Sequence, residues 1–478
     1  MLFNSFSFAL FLPIVFVLYW FVTNRNLVHQ NLLLLVSSYF FYACWDYRFL
    51  FLLVFSTLLD YFTGLKMYDA RSEGLKKFWF WLSISVNLGF LGVFKYYNFF
   101  AESLADALGQ AGIHTNFWTL KVILPVGISF YTFHGLSYVI DIYKNRIKPV
   151  RDFVEYSVFV SFFPLLVAGP IERATHLLPQ IQKPRHFDYT KAVDGLKQIL
   201  WGLFKKMVIA DNCAEYANII FNNSAQYGGS THVMGALFFT FQIYCDFSGY
   251  SDIALGTARL FGIELLRNFA FPYFSRDIAE FWRRWHISLS SWFRDYLYIP
   301  LGGSKGGKWM VVRNTFIIFL VSGFWHGSNW TFIAWGALNA IYFLPLSLMK
   351  RNRNNLEIVA QGSLLPSLRD MMNMGITFAL TVFAWIFFRA DSIRHALAYI
   401  KVIFSRSLFT RPEMTPKTIL AYLAIFIAIE WVGRENQYAI AKLGERLPKP
   451  IRWVMYYGIA IAIIFLSGSQ QKFIYFQF

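Results

Sequence analysis

Long runs without a charged side chain are the feature that most restricts how this chain folds. Five runs contain no Asp, Glu, Lys or Arg: residues 1–24, 78–94, 122–140, 371–388 and 453–471. A helix needs roughly 20 such residues to cross the hydrocarbon layer of a membrane. Shorter or interrupted candidate spans lie at 31–45, 49–65, 156–171, 233–247 and 418–432. The sequence therefore predicts an all-α, polytopic integral membrane protein with about ten to twelve transmembrane helices.

The composition agrees with this class. Charged residues make up 15% of the 478 residues, against about 25% in soluble domains. The net charge is +17, which we interpret as cytoplasmic loop charge beside anionic membrane lipid rather than as a nucleic-acid surface. Basic residues collect at 66–77 and 144–151, whereas the loop at 95–121 is balanced. This asymmetry predicts a multi-pass protein of the cytoplasmic (inner) membrane with an extracytoplasmic N-terminus.

The chain is expected to form one membrane domain over residues 1–478, because it contains no obvious internal repeat and no low-complexity tract. Arg25 is the first basic residue, so the first run is expected to stay as a span rather than to be cleaved as a signal peptide. Cys44, Cys213 and Cys245 are far apart, and no two histidines are four residues apart. We therefore expect neither a disulfide framework nor a metal site.

Two segments are too charged to span a membrane and too apolar to be simple loops. The first is "YTKAVDGLKQILWGLFKKMVIAD", residues 189–211. A stripe at helical spacing consists of Val193, Leu196, Leu200, Leu203 and Met207. Four lysines lie off this stripe: Lys191, Lys197, Lys205 and Lys206. The pattern predicts an amphipathic helix in the plane of the membrane surface, with its lysines extended toward water.

The second segment covers residues 275–308. A continuous aromatic stripe consists of Trp282, Trp285, Leu289, Trp292 and Tyr296. A neighbouring face carries Arg283, His286, Ser290 and Arg294. Each charge in a lipid-facing span costs about 2.5–3.5 kcal/mol, so this helix is expected at the interface or along a watered cavity. Pro300 should end it, and a glycine-rich turn follows.

One histidine lies in an uncharged stretch of 36 residues, 314–349. A single helix of that length would measure about 54 Å, against a hydrocarbon thickness of about 30 Å. The stretch must therefore break, tilt strongly or turn back, and Gly323, Gly327 and Gly336 are its weak points. If a span begins at Asn314, His326 lies about 18 Å along it, near the bilayer midplane.

An ionisable group at that depth is by default a functional residue. The alternative is a neutral imidazole that only makes a hydrogen bond between helices. Burial disfavours the charged form of an imidazole, so His326 would stay neutral and able to accept a proton. Gly323 and Gly327 allow a substrate or another backbone to approach closely, and Asn329 is placed to orient the ring or a substrate carbonyl. This arrangement suits general-base activation of a hydroxyl.

The motifs resemble those of the membrane-bound O-acyltransferase family, and most closely its alginate and peptidoglycan O-acetyltransferase membrane subunits. "FWRRWHISLSSWFRDYLYIPLGG" and "SGFWHGSNWTFIAWG" carry most of the resemblance. "VAGPIERA", "GLFKKMVIADN", "QIYCDFSGYSDIALG" and "FIYFQF" extend it over nearly the whole chain. The resemblance implies transmembrane and in-plane helices around a central funnel.

By the same resemblance, His326 is the family's presumed catalytic residue and His286 occupies its second characteristic position. Such proteins pass an acyl group from a cytoplasmic thioester donor, such as acetyl-CoA or an acyl carrier, to an extracytoplasmic acceptor. No tightly bound cofactor is implied. We hypothesise that His326 is the general base for the acceptor hydroxyl and that His286 positions the thioester.

Six further residues are candidates for binding substrate or donor. Arg283, Arg284 and Arg294 would attract an anionic donor, although anchoring at the membrane surface explains them equally well. Asn329, Asp246 and Trp325 complete the set. For Asp246, as for Asp252, the alternative is a structural role in orienting helices.

Three classes of function remain open. The first is O-acetylation of a surface polysaccharide, most like alginate, with peptidoglycan O-acetylation or teichoic-acid D-alanylation as alternatives. An extracytoplasmic esterase-like partner protein is expected to complete the transfer. The second is a transporter or flippase, which predicts internal repeats and paired broken helices. The third is a scaffold for a polysaccharide synthase.

Overall fold

The fold is helical in the part of the chain that is described. The computed structural model describes residues 1–113, 125–167, 169–445 and 447–476, and within them no strand occurs. The α-helices are α1 (Phe6–Val17), α2 (Leu27–Ala43), α3 (Tyr47–Tyr68), α4 (Glu73–Leu91), α5 (Tyr97–Gln110), α6 (Ile128–Tyr143), α7 (Phe153–Ser161), α8 (Phe163–Leu166), α9 (Ala174–Ile181), α10 (Tyr189–Leu203), α11 (Asp211–Asn222), α12 (Gly229–Leu260), α13 (Ile278–Arg284), α14 (Ile287–Phe293), α15 (Gly307–His326), α16 (Trp330–Leu348), α17 (Leu368–Arg389), α18 (Ile393–Ile403), α19 (Lys417–Gly433) and α20 (Lys449–Phe465). The all-α prediction is confirmed.

Short irregular helices join or follow several of these. Segments with π-helical hydrogen bonding are Leu18–Val22, Gly92–Tyr96, Phe204–Ala210 and Arg294–Tyr298. Turns of 3₁₀-helix are Ser224–Gln226, Pro272–Phe274, Arg406–Phe409 and Ile474–Phe476. Some predictions fall outside the described residues: those for the end of the loop at 95–121, for the start of the run at 122–140, for residue 168 of "VAGPIERA" and for the last two residues of "FIYFQF".

The helices form two compact units. The first consists of Met1–Ala192 and Ala258–Leu266, and the second of Val193–Thr257 and Arg267–Phe478. Helices α10 and α12 contain residues of both units. All the predicted site residues belong to the second unit. The single domain over residues 1–478 stays a prediction.

Four helical stretches are long and apolar enough to cross a membrane: Tyr47–Tyr68, Glu73–Gln110, Trp330–Leu348 and Leu368–Arg389. Shorter apolar helices are Phe6–Val22, Leu27–Ala43 and Phe153–Leu166. These findings, which concern only the described residues, support a multi-pass membrane protein. They do not confirm the predicted count of ten to twelve spans, because several uncharged runs include turns as well as helix.

Helix α10 packs on α12 through its glycines rather than through its apolar stripe. Leu196 of the predicted stripe is 55% exposed, whereas Gly195 and Gly202 face α12. A Cβ on Gly202 would lie 2.6 Å from the carbonyl oxygen of Gly249. The exposed Leu196 is compatible with an apolar stripe that faces lipid, so the in-plane amphipathic helix stays a prediction. In a membrane protein small and polar side chains pack helix against helix, and apolar side chains can face lipid.

Two of the four lysines, both in the π-helical segment Phe204–Ala210 that follows α10, differ from the prediction. Lys205 and Lys206 are 3% and 1% exposed, so they do not extend into water. Lys205 Nζ lies 2.6 Å from Asp252 Oδ2, and Lys206 Nζ lies 2.7 Å from an oxygen of Asp246. Buried charges require such partners, and the aspartates on α12 supply them. These ion pairs join the two helical segments, and the predicted binding role of Asp246 stays a prediction.

The uncharged stretch 314–349 turns back on itself, as one of the three predicted alternatives requires. Helix α15 ends at His326, and α16 begins at Trp330. Gly323 and Gly336 let the two helices touch, because a Cβ on either would overlap a backbone oxygen of the other helix. The glycines therefore admit another backbone, and Gly327 lies in the turn.

The aromatic stripe of residues 282–296 is not continuous. Helices α13 and α14 are separate, and the chain turns between them at Trp285 and His286. His286 has a φ of +42°, in the left-handed region. The single helix predicted here was wrong, because a non-glycine residue in this conformation leaves no clear sequence signal.

Candidate active site

His326 is enclosed by aromatic side chains at the end of α15. It is 3% exposed. Its ring centroid lies 4.8 Å from that of Trp325, 5.2 Å from Trp335, 5.4 Å from Phe388 and 5.5 Å from Tyr475. Such an enclosure excludes bulk water and strengthens the polar interactions that a substrate makes with the imidazole.

The start of this helix differs from the one assumed for the depth of His326. Helix α15 begins at Gly307 rather than at Asn314, and it includes Lys308 and Arg313. Its 20 residues span about 30 Å, and His326 is the last of them. The start of a helix does not fix where it enters the membrane, so the depth of His326 stays a prediction.

His286 is held by the turn between α13 and α14. Asn268 fixes this turn: its carbonyl oxygen accepts from the Ile287 N–H at 2.9 Å, and its Oδ1 accepts from Ser288 Oγ at 2.6 Å. His286 is 1% exposed, and its ring meets that of Phe247 edge-on at 4.6 Å. Within the described residues, neither ring nitrogen of His286 has a hydrogen-bond partner.

The structure brings the two predicted histidines together. The ring centroids of His286 and His326 are 6.5 Å apart, with 59° between the ring planes. The residues are forty positions apart in sequence, so the tertiary fold of the second unit creates this pair. At this separation one small acyl group can contact both imidazoles.

A cavity of about 250 Å³ lies beside the histidine-bearing segments. Ser290 and Ser322 line it, and each is four residues from the histidine of its own segment. Its apolar wall includes Trp282, Leu289, Phe293, Ile318, Phe319 and Phe343. Arg294 and Arg353 contribute the cationic groups. The cavity therefore combines an apolar interior with positive charge.

The three predicted donor-binding arginines have different surroundings. Arg283 donates to the carbonyl oxygens of Asn352 and Asn355, and Arg284 pairs with Glu280 at 2.8 Å. Arg294 instead lines the cavity and has a side chain that is 63% exposed. Its hydrogen bond to Asp295 raises the pKa of Arg294 above its usual value, so the guanidinium stays charged. Arg294 alone of the three lines the cavity.

Comparison with known proteins points to one family. The membrane-bound O-acyltransferase family model matches residues 144–386. A Pseudomonas putida protein named probable alginate O-acetylase AlgI is 37% identical over 446 residues, which cover 92% of this chain and 88% of that protein. A Helicobacter pylori protein named peptidoglycan O-acetyltransferase is 37% identical over 431 residues, which cover 84% and 79%. The chain belongs to the membrane-bound O-acyltransferase family.

This membership confirms the resemblance that the motifs carry. The protein is therefore an acyltransferase and a multi-pass membrane protein. A more limited match joins it to a Streptococcus thermophilus protein named teichoic acid D-alanyltransferase, which is 32% identical over 236 residues, or 47% of this chain and 57% of that protein. The roles of individual residues in this acyltransferase stay predictions.

Asn329 and Trp325 lie near His326 in the sequence, and they make different kinds of contact. Asn329 is the N-cap of α16, where its Oδ1 accepts from the Thr331 N–H at 3.0 Å. Its Nδ2 donates to the carbonyl oxygen of Asp391 at 3.0 Å. The amide is thus engaged in holding the turn that presents His326. The Trp325 ring contacts both histidines, at 5.9 Å from the ring of His286 and 4.8 Å from that of His326.

Asp246 lies beside this enclosure rather than in its wall. Besides its ion pair with Lys206, it accepts a hydrogen bond from the Ile474 N–H at 2.7 Å. The residue after Ile474 is Tyr475, which contacts His326. Asp246 is therefore connected to the candidate site of the acyltransferase through the backbone of the C-terminal segment.

Sequence reasoning missed Phe388, which lies outside the family motifs, and three further side chains around the histidines: Phe247, Trp335 and Tyr475. Each of the last three lies within a motif that carries the family resemblance, namely "QIYCDFSGYSDIALG", "SGFWHGSNWTFIAWG" and "FIYFQF". The motifs were thus a usable signal. Phe247 contacts His286, whereas Trp335 and Tyr475 contact His326. These contacts join distant parts of the second unit, which the sequence of the acyltransferase does not specify locally.

Proposed function

We propose that this O-acyltransferase moves an acetyl group from a cytoplasmic thioester donor across the membrane for O-acetylation of an alginate-like surface polysaccharide. The names of the most similar relatives support the acetyl group and the polysaccharide. The observation that carries the proposal is the pair of buried histidines, His286 and His326, with ring centroids 6.5 Å apart beside an apolar cavity with two arginines.

The reaction would proceed with His326 as general base. The imidazole accepts the proton of the acceptor hydroxyl, and the hydroxyl oxygen forms a new C–O bond to the acyl carbon. The C–S bond of the thioester then breaks, and the departing thiolate takes the proton from the imidazolium. General-base assistance of this kind is typically worth about 10²–10⁴-fold in rate.

His286 would position the thioester. A neutral imidazole with an N–H can donate a hydrogen bond to the thioester carbonyl oxygen, which becomes more negative as the new bond forms. The left-handed backbone at His286 and the bonds from Asn268 hold the ring before substrate arrives. Because no described group satisfies its ring nitrogens, His286 is available for this contact.

The cavity beside α14 and α15 would hold the donor. Its apolar wall suits the arm that carries the thioester, and Arg294 with Arg353 would attract an anionic carrier such as acetyl-CoA or an acyl carrier protein. The donor is a substrate, and no tightly bound cofactor is invoked. An esterase-like partner outside the cytoplasmic membrane would then complete transfer to the polymer.

Peptidoglycan and teichoic acid are the two alternative acceptors for the same class of acyl-transfer reaction. The relatives named peptidoglycan O-acetyltransferase and teichoic acid D-alanyltransferase support them. The alginate-like acceptor is preferred because the alginate relatives match more of the chain, 92% for the Pseudomonas putida protein against 84% and 47%.

Purified protein in liposomes with a radiolabelled acetyl thioester tests the proposal. We expect label to appear in ester linkage on an acceptor with wild-type protein and to be absent with His326→Ala, while the variant inserts and folds normally. Flux of intact substrate without ester formation would instead support the transporter alternative. Retained acetylation by His326→Ala would contradict the assigned role of His326.

A further inference from the structure

The C-terminal segment, residues 466–475, follows α20 and returns to the helices of the second unit. Asn212 Nδ2 donates to the carbonyl oxygen of Leu466 at 2.9 Å. Two residues later the Gly468 N–H donates to Met207 O at 3.0 Å. A Cβ on Gly468 would lie 2.7 Å from the Asn212 nitrogen, so the segment fits closely here only with glycine.

A buried ion cluster lies beneath this segment. Lys206 Nζ is 2.7 Å from Asp211 Oδ1 and 2.7 Å from Asp246 Oδ1. The three residues are 1%, 2% and 2% exposed, and they join the π-helical segment Phe204–Ala210 to α11 and α12. Two carboxyl groups around one ammonium leave carboxyl oxygens that need further hydrogen-bond donors in a buried site.

The C-terminal segment supplies a donor. The Ile474 N–H donates to Asp246 Oδ2 at 2.7 Å, and Lys206 Nζ in turn donates to the carbonyl oxygen of Gln471 at 3.2 Å. The residue after Ile474 is Tyr475. Its ring centroid lies 5.5 Å from that of His326 and 4.7 Å from that of Phe247. The bond to Asp246 therefore fixes the residue that completes the wall around the candidate base.

We propose that Lys206, Asp211 and Asp246 are positioning residues that latch the C-terminal segment in place and so keep the enclosure of His326 closed. The cluster acts through the Ile474 backbone and through Tyr475, not by contact with substrate. The effect on catalysis rests on the proposed role of His326. Whether the cluster holds the C-terminal segment in place can be measured without measuring catalysis.

The chain offers a matched control in the adjacent residue. Lys205 is also buried and is also paired with an aspartate of α12, Asp252, at 2.6 Å. Its other hydrogen bond is to Ser248 Oγ on the same helix, at 2.9 Å. Removing Lys205 therefore breaks a comparable buried ion pair without touching the bonds to the C-terminal segment.

Hydrogen–deuterium exchange in the full-length protein measures the latch. In Lys206→Met, the amides of residues 470–475 should exchange at least about tenfold faster than in wild type, whereas Lys205→Met should leave them protected. Ile474→Pro removes the backbone N–H that donates to Asp246. Proline is accepted at the first position of a helical turn, so the segment can keep its conformation. Ile474→Val keeps the N–H and serves as its control.

Acyl transfer by the same variants measures the consequence. We expect kcat to fall at least about tenfold, equivalent to about 1.4 kcal/mol, in Lys206→Met and Ile474→Pro. Lys205→Met and Ile474→Val should keep most of the wild-type kcat. Because Lys206→Met leaves two carboxylates unpaired and can unfold, Ile474→Pro is the decisive variant.

Each outcome has a distinct meaning. Equal exchange in Ile474→Pro and Ile474→Val would overturn the latch. Faster exchange with unchanged kcat would overturn its part in catalysis. Activity retained by His326→Ala contradicts the proposed function alone, since the exchange measurement does not depend on the reaction.

Discussion

His286 combines an imidazole with a backbone conformation that histidine adopts infrequently. Its φ of +42° lies in the left-handed region, where residues with a Cβ are strained by roughly 1–2 kcal/mol. The turn is nevertheless determined by its surroundings, because Asn268 bonds to both residues that follow. Strain of this kind is tolerated where the surrounding structure holds it, and it is concentrated at functional sites.

The contributions of ring and backbone at His286 can be separated. Asparagine tolerates the left-handed region, so His286→Asn should fold with wild-type thermal stability yet lose about 10²-fold in kcat/KM through loss of the imidazole. His286→Ala should show the same kinetic loss together with a lower Tm. Steady-state kinetics and thermal unfolding measure the two effects. A fully active His286→Asn would show that only the backbone geometry matters.

Substitution of Arg294 tests whether a positive charge at the cavity helps to bind an anionic donor. Arg294→Gln should raise the donor KM by about fivefold, the size expected for one exposed charge. It should also weaken the dependence of KM on ionic strength, because salt screens an exposed interaction. Arg283→Gln is the control, since it should lower stability through the loop carbonyls and leave the salt dependence intact. An equal salt dependence in wild type and Arg294→Gln would argue against a donor role.

Some residues of the site were readable from the sequence and others were not. His326 was found because an imidazole in an uncharged stretch is conspicuous, and His286 because its segment is too charged to span. Tyr475 was not assigned, although its motif was noted. Its contact with His326 depends on the bonds that hold residues 466–475, and no local periodicity encodes these.

At the scale of helices, the length of an uncharged stretch predicted a turn correctly, whereas side-chain periodicity did not predict the helix contacts and breaks. An uncharged stretch too long for one span had to turn, and it does so after His326. The apolar stripe on α10 did not reveal the helix contact, which Gly195 and Gly202 form, and its exposed Leu196 suits lipid. The aromatic stripe of 282–296 was misjudged because no glycine or proline marks the break at His286.

The glycine contact between α15 and α16 gives a prediction at this scale. A methyl group in Gly336→Ala would overlap the carbonyl oxygen of Phe319, so the helices must separate. We expect a destabilisation of about 1–3 kcal/mol and reduced acyl transfer, because the hairpin presents His326. Gly375→Ala on α17 is the control, since a Cβ there meets nothing within 4 Å. The measurement is thermal unfolding in detergent, and an equal Tm in the two variants would contradict the argument.

For the whole molecule, composition alone identified a multi-pass membrane protein, whereas counting its spans did not succeed. Uncharged runs do not mark helix ends. The run at 156–171 is interrupted at Phe162, and α20 ends at Phe465 although the last run continues to residue 471. Conversely, α12 extends over 32 residues around an uncharged core of about half that length. Backbone hydrogen bonding, rather than hydropathy, sets these boundaries.

The orientation of the chain is a prediction that its native cysteines can test. With the N-terminus outside, the first span enters the cytoplasm and the second returns, which places Cys44 on the extracytoplasmic side. Cys44 is exposed, whereas Cys213 and Cys245 are buried. A membrane-impermeant maleimide should therefore label wild-type protein in intact spheroplasts, and Cys44→Ser should abolish the signal. As a control, Ser72→Cys in a Cys44→Ser background lies in the basic loop at 66–77 and should label only after permeabilisation. The reverse pattern would place the basic loops outside, contrary to the preference of Lys and Arg for the cytoplasmic face, and would require the donor and acceptor sides of the proposed reaction to be exchanged.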